Sequence, residues 1–348
     1  MKKDIKSLSL EELQDEIETL GEAKFRAKQI FQWLHQKQVG TFGEMTNIST
    51  KLQQQLSDKF YINSLNIAKK LVSHLDDTVK YLYELRDGEL IECVLMHYHH
   101  GYSVCISTQV GCKMGCSFCA STIAGFVRHL TPSELLDQIY AVQKDSGQKV
   151  SNVVLMGIGE PLDNYDNVVK FLRLLSSPEG INLSLRHVSL STCGIVDRIY
   201  QLAELHLGLT LSVSLHAPND RLRSETMPVN RRYPLDTLLE ACRYYADVTH
   251  RRISFEYALI QGVNDSEQCA RELASRLQGM LCHVNLIPVN QVDERSYRAS
   301  GKAFIYNFQK TLTDFGINAT VRRTLGADIN AACGQLRRSQ CKKNEVSL

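Results

Sequence analysis

Residues 103–143 combine the two features that decide the fold, and they read SVCISTQVGCKMGCSFCASTIAGFVRHLTPSELLDQIYAVQ. The stretch opens with a short β-rich run, SVCISTQ, and ends with SELLDQIYAVQ, whose apolar residues recur at helical spacing. Between the two runs lie Cys112, Cys116 and Cys119, in the spacing CxxxCxxC. A strand followed by a cysteine-bearing loop and a helix predicts one unit of an α/β fold.

The same alternation recurs five more times along the chain. The paired runs are NVVLMGI and NVVKFLRLL, HVSLST and VDRIYQLAEL, LTLSVSLH and LDTLLEACRYYA, ISFEYALI and SEQCARELASRL, and HVNLIPV and KAFIYNFQKTL. Six β-then-α units predict a parallel sheet with helical crossovers. Because six units fall short of the eight of a closed barrel, we expect a partial (β/α)6 barrel that is open along one side and admits a large substrate.

Polar side chains follow several of these predicted strands. They are Gly159 and Glu160, Ser191 and Thr192, Ser214 and His216, and Asn290. A barrel-like sheet places its site at the carboxyl ends of its strands. The sequence therefore predicts that these residues meet at one edge of the sheet.

The chain before residue 103 has a different character. Residues 1–65 are predicted to form a small helical N-terminal domain, with a capping box at Ser9 and Glu12. Residues 66–102 are predicted to form a β-hairpin extension, since VKYLYEL and LIECVLM flank Arg86-Asp87-Gly88. We expect the barrel to occupy residues 103–335 and a basic tail to occupy residues 336–348.

The composition of the chain indicates the cellular compartment in which the protein is found. The first residues lack the apolar core of a signal peptide, and no stretch approaches the roughly 18 to 20 apolar residues that span a bilayer. We therefore expect a cytoplasmic protein that does not enter a membrane and whose thiols stay reduced. In that compartment, 11 cysteines favour metal binding or catalysis over structural disulfides.

Positive charge is concentrated locally although the net charge is only +2. Residues 321–348 hold six Lys or Arg against two acidic residues, a balance of +4. Arginines also lie close together at 221 and 223, 231 and 232, and 251 and 252. Such clusters suit a polyanion such as RNA, and we expect residues 1–65 to assist in binding it. The alternative is a solvated surface on which Arg stems cover apolar neighbours.

Three closely spaced cysteines allow two kinds of metal site. A structural zinc site normally has four ligands, and a histidine of HYHH at 97–100 would have to complete the set. Thiolates also hold [4Fe–4S] clusters, usually four to a cluster, and three would leave one iron open to a further ligand. The run Gly157-Ile158-Gly159-Glu160-Pro161 is compatible with a ligand-binding turn or with a tight turn alone.

The CxxxCxxC spacing resembles that of the radical S-adenosylmethionine (SAM) enzymes. The segments GEPLDN, VSLHAPND, RRYPLD, QGVND, HVNLIPVN and DINAACGQL are similar to one branch of them, the RlmN/Cfr RNA methyltransferases. The resemblance runs over nearly the whole chain. Ile158 stands where Met is common and His129 where Asn is common, and neither is a ligand position.

The resemblance implies a set of cofactors and binding residues. Cys112, Cys116 and Cys119 would hold one [4Fe–4S] cluster, and its open iron would bind SAM. The matching SAM contacts are Gly159, Glu160, Ser191, Ser214, Leu215, His216 and Asn290. The family also implies an electron-donor protein such as flavodoxin or ferredoxin, and we expect a monomer.

The resemblance further implies a covalent route to the product. C2 and C8 of adenine lie in an electron-poor ring and cannot take a methyl cation directly from SAM. Cys333 would be methylated by one SAM, and a radical from a second SAM would join that methyl carbon to the base. Cys105 would resolve the adduct and leave a transient Cys105–Cys333 disulfide, and Glu92 matches the proton acceptor. Without the resemblance, Cys333 is equally well a small buried apolar residue.

The expected activity is methylation of adenine C2 in RNA, at adenine 2503 of 23S rRNA and adenine 37 of tRNA. The alternative within the family is Cfr-type methylation of C8, which gives antibiotic resistance. GEPLDN and HVNLIPVN resemble the RlmN forms more closely. A third hypothesis is a non-catalytic zinc or iron–sulfur module that binds RNA, although mere binding needs neither Cys105 nor Cys333.

Overall fold

The computed structural model describes residues 2–290, 295–323, 325–329 and 331. Cys333 and the predicted basic tail, residues 336–348, lie outside these residues. Within them, no helix is both long enough and apolar enough to cross a membrane.

The N-terminal region contains three α-helices, α1 (Leu10–Thr19), α2 (Phe25–His35) and α3 (Thr50–Lys59). Strands β1 (Lys3–Asp4) and β2 (Phe60–Tyr61) pair in parallel and bring its two ends together. Helix α1 begins at the predicted capping box, because the Ser9 side chain accepts from the Glu12 N–H and the Glu12 carboxylate accepts from the Ser9 N–H.

A buried polar contact attaches this region to the barrel. Lys6 forms an ion pair with Asp137 on the first barrel helix, and both side chains are almost fully buried. The Asn63 amide donates to the other Asp137 oxygen at 2.8 Å. Since each charge is paired and hydrogen-bonded, the contact fixes how the helices sit on the barrel.

The remaining strands follow in chain order. They are β3 (Asn66–Val72), β4 (Val79–Glu84), β5 (Leu90–Tyr98), β6 (Gly101–Cys105), β7 (Gln109–Gly111), β8 (Phe126–His129), β9 (Val150–Leu155), β10 (Val188–Thr192), β11 (Thr210–Ser214), β12 (Ile253–Leu259), β13 (Cys282–Pro288) and β14 (Ala319–Val321). In the described residues, all but β7 and β8 form one ten-stranded sheet in the order β14-β13-β12-β11-β10-β9-β6-β5-β4-β3. Strands β3 to β6 pair antiparallel, and β6 pairs parallel with β9.

Helices alternate with the parallel strands. They are α4 (Pro132–Ser146), α5 (Tyr165–Ser176), α6 (Val196–Glu204), α7 (Asp220–Thr226), α8 (Leu235–Thr249), α9 (Glu267–Leu277) and α10 (Lys302–Asp314). The six predicted β-then-α units are therefore present, and β14 adds a further parallel strand beside β13. The predicted partial barrel is confirmed, and the β-hairpin extension continues the same sheet through β3, β4 and β5.

Each parallel strand has an apolar and a more polar face. Leu190 and Leu211 are register partners with no exposed surface, and they belong to the main hydrophobic core. Ser191 and Ser212 are the next register partners, so their side chains lie on the opposite face. The helix-facing side of the sheet is thus a packed apolar core, and hydroxyl groups line the other side.

The first barrel strand is shorter than the sequence predicts. SVCISTQ reads as one strand, but β6 ends at Cys105. Ile106 still bonds to β9, and the chain then forms β7, which pairs antiparallel with β8. The three-cysteine segment therefore leaves from a small two-stranded sheet and not directly from the barrel.

A candidate active site at the carboxyl ends of the parallel strands

A cavity of about 270 Å³ opens where the parallel strands end. Nine of the ten residues predicted to hold a cluster or SAM line it: Cys112, Cys116, Cys119, Gly159, Glu160, Ser191, Ser214, His216 and Asn290. The tenth, Leu215, is buried in the main core, and its backbone N–H donates to the Glu256 carbonyl. The predicted residues thus meet in one place although they span 179 positions of the sequence, from 112 to 290.

The cysteine segment is held at both ends and in the middle. The Cys112 N–H donates to the Gly125 carbonyl at 3.2 Å, next to the β7–β8 pair. In the middle, the Ser117 N–H donates to the Thr226 carbonyl at 2.9 Å. The Thr122 hydroxyl donates to the Cys119 carbonyl at 2.9 Å. These bonds fix the backbone while leaving the three thiols on the cavity wall.

The thiols suit a metal cluster chemically. Burial raises the pKa of Cys112 to about 12 and raises the pKa of Cys116 as well, so each thiol keeps its proton until a cation displaces it. Among the residues described, no three His, Cys, Asp or Glu side chains are placed to share one metal ion. An iron–sulfur cluster needs a different arrangement, because its thiolates bind separate iron atoms.

The GxGEP turn packs closely against the chain that follows β6. A Cβ on Gly157 would lie 2.6 Å from the Ile106 carbonyl oxygen, and one on Gly159 would lie 2.6 Å from Cβ of Gln109. Gly159 also has φ +109°, a backbone conformation that L side chains rarely adopt. The glycines are therefore required by contact between two protein segments, in addition to any approach of a ligand.

Glu160 is almost fully buried at the inner end of this turn. Its carboxylate accepts from the Leu162 N–H at 2.9 Å and from the Cys193 N–H at 2.7 Å. Burial raises the pKa of Glu160 and these hydrogen bonds oppose the shift. Glu160 therefore joins the ends of β9 and β10 while its side chain lines the cavity.

His216 presents a neutral ring to the cavity. Its Nδ1 accepts from the Ala258 N–H at 2.9 Å, so the proton of the neutral ring is on Nε2. Burial lowers the pKa of His216 to about 3. The ring of Phe118, in the cysteine segment, contacts the imidazole edge-on at 4.9 Å between centroids.

Arg223 does not belong to the basic surface cluster that the sequence predicts for Arg221 and Arg223. Arg221 is exposed, but Arg223 has no exposed surface. Its guanidinium donates to the carbonyls of Cys193, Ser214 and Leu215 at 2.7, 3.1 and 3.2 Å. Arg223 therefore ties together the chain at the ends of β10 and β11 and is not available to a partner at the surface.

Glu256 on β12 is a further cavity residue that is absent from the sequence prediction. Its carboxylate accepts from the Asn285 amide at 2.7 Å and from the Ser254 hydroxyl at 3.1 Å. Burial raises the pKa of Glu256, and the charge of Arg322 opposes the shift. Both Glu256 and Arg322 line the cavity. A carboxylate inside the apolar run ISFEYALI was the available signal.

One predicted catalytic residue, Cys105, lies beside the cavity. Cys105 is buried and forms a small apolar cluster with Val94 and Met96. Met156 packs against this cluster and also lines the cavity, so one side chain borders both. Cys333, the predicted methyl carrier, is outside the described residues.

Glu92 occupies the next strand, β5. Its carboxylate pairs with the Lys80 ammonium at 3.2 Å, and both side chains are almost fully buried. The Ser107 hydroxyl donates to the Glu92 carbonyl at 2.7 Å. The structure thus places Glu92 near the end of the strand that carries Cys105, with its charge balanced by a lysine.

Comparison with known proteins identifies the family. A family model described as ribosomal RNA large subunit methyltransferase N-terminal domain matches residues 3–62, and one described as radical SAM superfamily matches residues 106–273. A protein of Alkaliphilus oremlandii (strain OhILAs) named probable dual-specificity RNA methyltransferase RlmN is 56% identical over 335 residues, covering 96% of this chain and 97% of that protein. The chain belongs to the RlmN family.

Further RlmN-family comparisons agree with this result. A protein of Clostridium novyi (strain NT) with the same name is 52% identical and covers 98% of this chain and 100% of that protein. The crystal structure of a radical SAM methyltransferase from Sphaerobacter thermophilus superposes with a TM-score of 0.91 and 41% identity, covering 96% and 98% of the two chains. The chain is thus a radical SAM RNA methyltransferase of the RlmN family, and this membership implies a [4Fe–4S] cluster and SAM.

Proposed function

We propose that the protein methylates C2 of adenine in RNA, acting on adenine 2503 of 23S rRNA and on adenine 37 of tRNA. The observation that carries the proposal is the convergence of nine predicted residues on one cavity, with Cys105 one side chain away from it. The curated relatives named dual-specificity RNA methyltransferase RlmN favour C2 over the C8 alternative. They also favour an enzyme over a non-catalytic module.

In this proposal Cys112, Cys116 and Cys119 would hold a [4Fe–4S] cluster, and the iron without a cysteine would be free to bind SAM. When bound, the cluster and SAM together supply the radical chemistry. The support is that all three thiols line the same cavity and that two of them are desolvated. Replacing any one by Ala should abolish the visible absorption of the anaerobically purified protein, whereas Cys242→Ala, a buried cysteine in α8, should keep it. A normal spectrum after Cys116→Ala would contradict the assignment.

SAM would lie along the strand ends. Ser191 and Ser214 end adjacent parallel strands and offer hydroxyls, and the exposed Asn290 offers an amide at the cavity wall. Neutral His216 can donate from Nε2 without adding a charge. The backbone around Gly159 and the carboxylate of Glu160 complete the set, with the Glu160 oxygens already fixed by two N–H donors.

The chain itself would carry the methyl group. Cys333 would take the methyl group, and that group would lose a hydrogen atom to the radical. The resulting carbon would join adenine C2, one electron would pass back to the cluster, and Glu92 would accept the proton that C2 loses. The Cys105 sulfur would then attack the Cys333 sulfur, so that a disulfide forms, the carbon–sulfur bond breaks, and the released carbon takes a proton to become the product methyl group. Each turnover would therefore need two electrons to restore the two thiols, in addition to the electron that first reduces the cluster. The position of Cys105 beside the cavity supports this route.

The electrons and the reduced thiols that the reaction requires indicate which partners and which compartment the protein needs. We infer an electron-donor protein such as flavodoxin or ferredoxin, a cytoplasmic location where thiols are kept reduced, and a monomeric enzyme. The cysteines that the structure describes are all free thiols, which suits a reducing compartment. RNA binding would use exposed basic side chains such as Arg221, Arg231 and Arg232.

Mass spectrometry of nucleosides tests the proposal directly. Ribosomal RNA and tRNA lacking the modification would be incubated with the reconstituted protein, SAM and a reductant, and then digested. We expect 2-methyladenosine from both RNAs. 8-Methyladenosine would establish the alternative activity, and absence of any methyladenosine with an intact cluster would refute both.

A further inference from the structure

Glu256 on β12 is a buried carboxylate that lines the cavity and has no role in the proposed methyl transfer. Its register partners are Ser214 on β11 and Asn285 on β13. Its backbone carbonyl accepts from the N–H groups of Leu215 and His216, at 3.0 and 3.3 Å. Register partners on neighbouring strands present their side chains on the same face, with about 4.8 Å between the strands. Glu256 therefore lies directly beside the predicted SAM contacts on β11.

The Glu256 carboxylate can still accept a hydrogen bond from a ligand. A carboxylate has about four acceptor sites. The Asn285 amide donates to one oxygen at 2.7 Å, and the Ser254 hydroxyl donates to the other at 3.1 Å. The Ser212 hydroxyl is the third side-chain donor to this carboxylate. At least one acceptor site therefore remains on a carboxylate that lines the cavity.

The charge of Glu256 limits which part of a ligand can lie against it. A carboxylate repels the phosphates of RNA and the carboxylate of a methionyl group, whereas it accepts from hydroxyl and N–H donors. Arg322 lines the same cavity, and its positive charge partly offsets the negative charge of Glu256. A neutral group that carries hydrogen-bond donors therefore suits this position.

The cavity wall next to Glu256 is apolar. Ala258 and Ile287 are register partners that line the cavity two residues nearer the strand ends than Glu256 and Asn285. Val289 extends this apolar wall. An apolar wall beside a few polar groups is typical of small-molecule sites. This combination suits a nucleoside, because its base is a largely apolar ring and its ribose carries hydroxyl donors.

We propose that Glu256 is a further binding residue, which accepts a hydrogen bond from the vicinal 2′- and 3′-hydroxyls of the adenosyl ribose of SAM. An acidic side chain binds a ribose hydroxyl in the same way in dinucleotide-binding folds. An adenosine within RNA offers only one of the two hydroxyls, because its 3′-oxygen is esterified to phosphate. This inference rests on the proposed SAM site in the cavity.

The binding of SAM analogues tests the inference without using the methylation reaction. Equilibrium dialysis with the anaerobic holoenzyme gives the dissociation constants of SAM, 2′-deoxy-SAM and 3′-deoxy-SAM. In the wild type, we expect at least one of the two deoxy analogues to bind about tenfold more weakly than SAM, because a hydrogen bond to a charged acceptor is lost.

Three variants isolate the contribution of Glu256. Glu256→Gln keeps the shape of the side chain but removes its charge, so SAM should bind about tenfold more weakly and the preference over the weaker analogue should fall to about threefold or less. Glu134→Gln is the matched control: Glu134 is a buried carboxylate on α4 that pairs with Arg128, and this variant should keep the wild-type preference. Glu256→Asp keeps the charge on a shorter side chain. It should fall between the wild type and Glu256→Gln, and it provides the comparison if Glu256→Gln does not fold.

The outcomes separate the inference from the proposed function. If the wild type binds SAM and both deoxy analogues equally, the role of Glu256 is wrong and the SAM site stands. The role is also wrong if Glu256→Gln keeps the wild-type preference, or if Glu134→Gln loses it to the same extent. If Glu256→Gln binds SAM normally but binds RNA more weakly in a filter assay, the carboxylate contacts RNA and the inference is refuted. If the wild type does not bind SAM, the inference and the proposed SAM site fail together.

Discussion

Replacing Arg223 by Met should destabilise the protein far more than the same change at Arg221, two residues away on helix α7. Met keeps most of the apolar stem of Arg223 but removes its donors from the backbone carbonyls of Cys193, Ser214 and Leu215 and from the side-chain oxygen of Asn230. The carbonyls belong to the backbone, so they remain in the variant without these donors. Each unsatisfied buried acceptor costs about 1–3 kcal/mol, so we expect a loss of about 3–5 kcal/mol after partial relaxation.

Arg221 provides the control because it differs mainly in burial. Its side chain is 73% exposed and pairs with Glu225 one helical turn away. Arg221→Met should therefore change the free energy of unfolding by no more than about 0.5 kcal/mol. The midpoints of urea unfolding of the two variants and the wild type give the comparison.

The Arg223→Met and Arg221→Met variants also test whether Arg223 supports the residues that line the cavity. The carbonyls that Arg223 binds belong to Cys193, Ser214 and Leu215, and the last two of these residues are predicted SAM contacts. Arg223→Met should weaken SAM binding as measured by equilibrium dialysis, and Arg221→Met should not. Equal unfolding midpoints and equal SAM affinities for the two variants would refute the assignment of Arg223 as a buried support.

Three further predictions address other parts of the molecule. Gly159→Ala should lower the free energy of unfolding, measured with urea, more than Gly262→Ala does. Both residues have positive φ, where a side chain costs about 1–2 kcal/mol, but only at position 159 would the new Cβ also clash with Gln109. Burial, and then the charge of Lys6, lower the pKa of His35 to about 3, so between about pH 6.5 and 3 the unfolded state binds a proton that the folded state does not. The free energy of unfolding should thus fall with falling pH by up to about 1.4 kcal/mol per unit from this group, and His35→Phe should flatten the dependence; an unchanged slope would contradict the assignment. Cys105→Ala should accumulate a denaturant-resistant protein–RNA adduct that needs SAM and reductant, whereas Cys333→Ala should form none; equal amounts on a denaturing gel would refute the separate roles of the thiols.

The architecture could be predicted because its signals are local. Each predicted strand or helix shows its period within its own short run of sequence, and the strand ends carry the polar residues that meet in the cavity. The end of β6 was predicted wrongly for the opposite reason. Residues 106–109 bond to the turn at 157–160, and no local pattern in SVCISTQ reports a partner 50 residues away.

Contacts between segments that are distant in sequence also explain the other differences between the prediction and the structure. Two arginines on a seven-residue helix look alike in sequence, and only the packing of α7 against the strand ends buries one of them. No local pattern predicts the hydrogen bonds of Asp328, because its partners Ser73 and His74, in the loop between β3 and β4, are about 250 residues away in sequence. Glu256 could have been found, because a carboxylate in an apolar run is the signal that singled out Glu92.

The attachment of residues 106–109 to the GxGEP turn determines where the chain tolerates a change of length. Backbone bonds from Thr108 and Gln109 to Ile158 fix the register of the two segments, and Cys105 and Cys112 lie just beyond each end. One residue inserted between these cysteines would shift one of the two thiols relative to the cavity. The turn at residues 99 and 100 has no such constraint, since its residues are exposed and join two antiparallel strands. A peptide tag or a fluorescent probe can therefore be introduced there without altering the distance along the chain from Cys105 to Cys112.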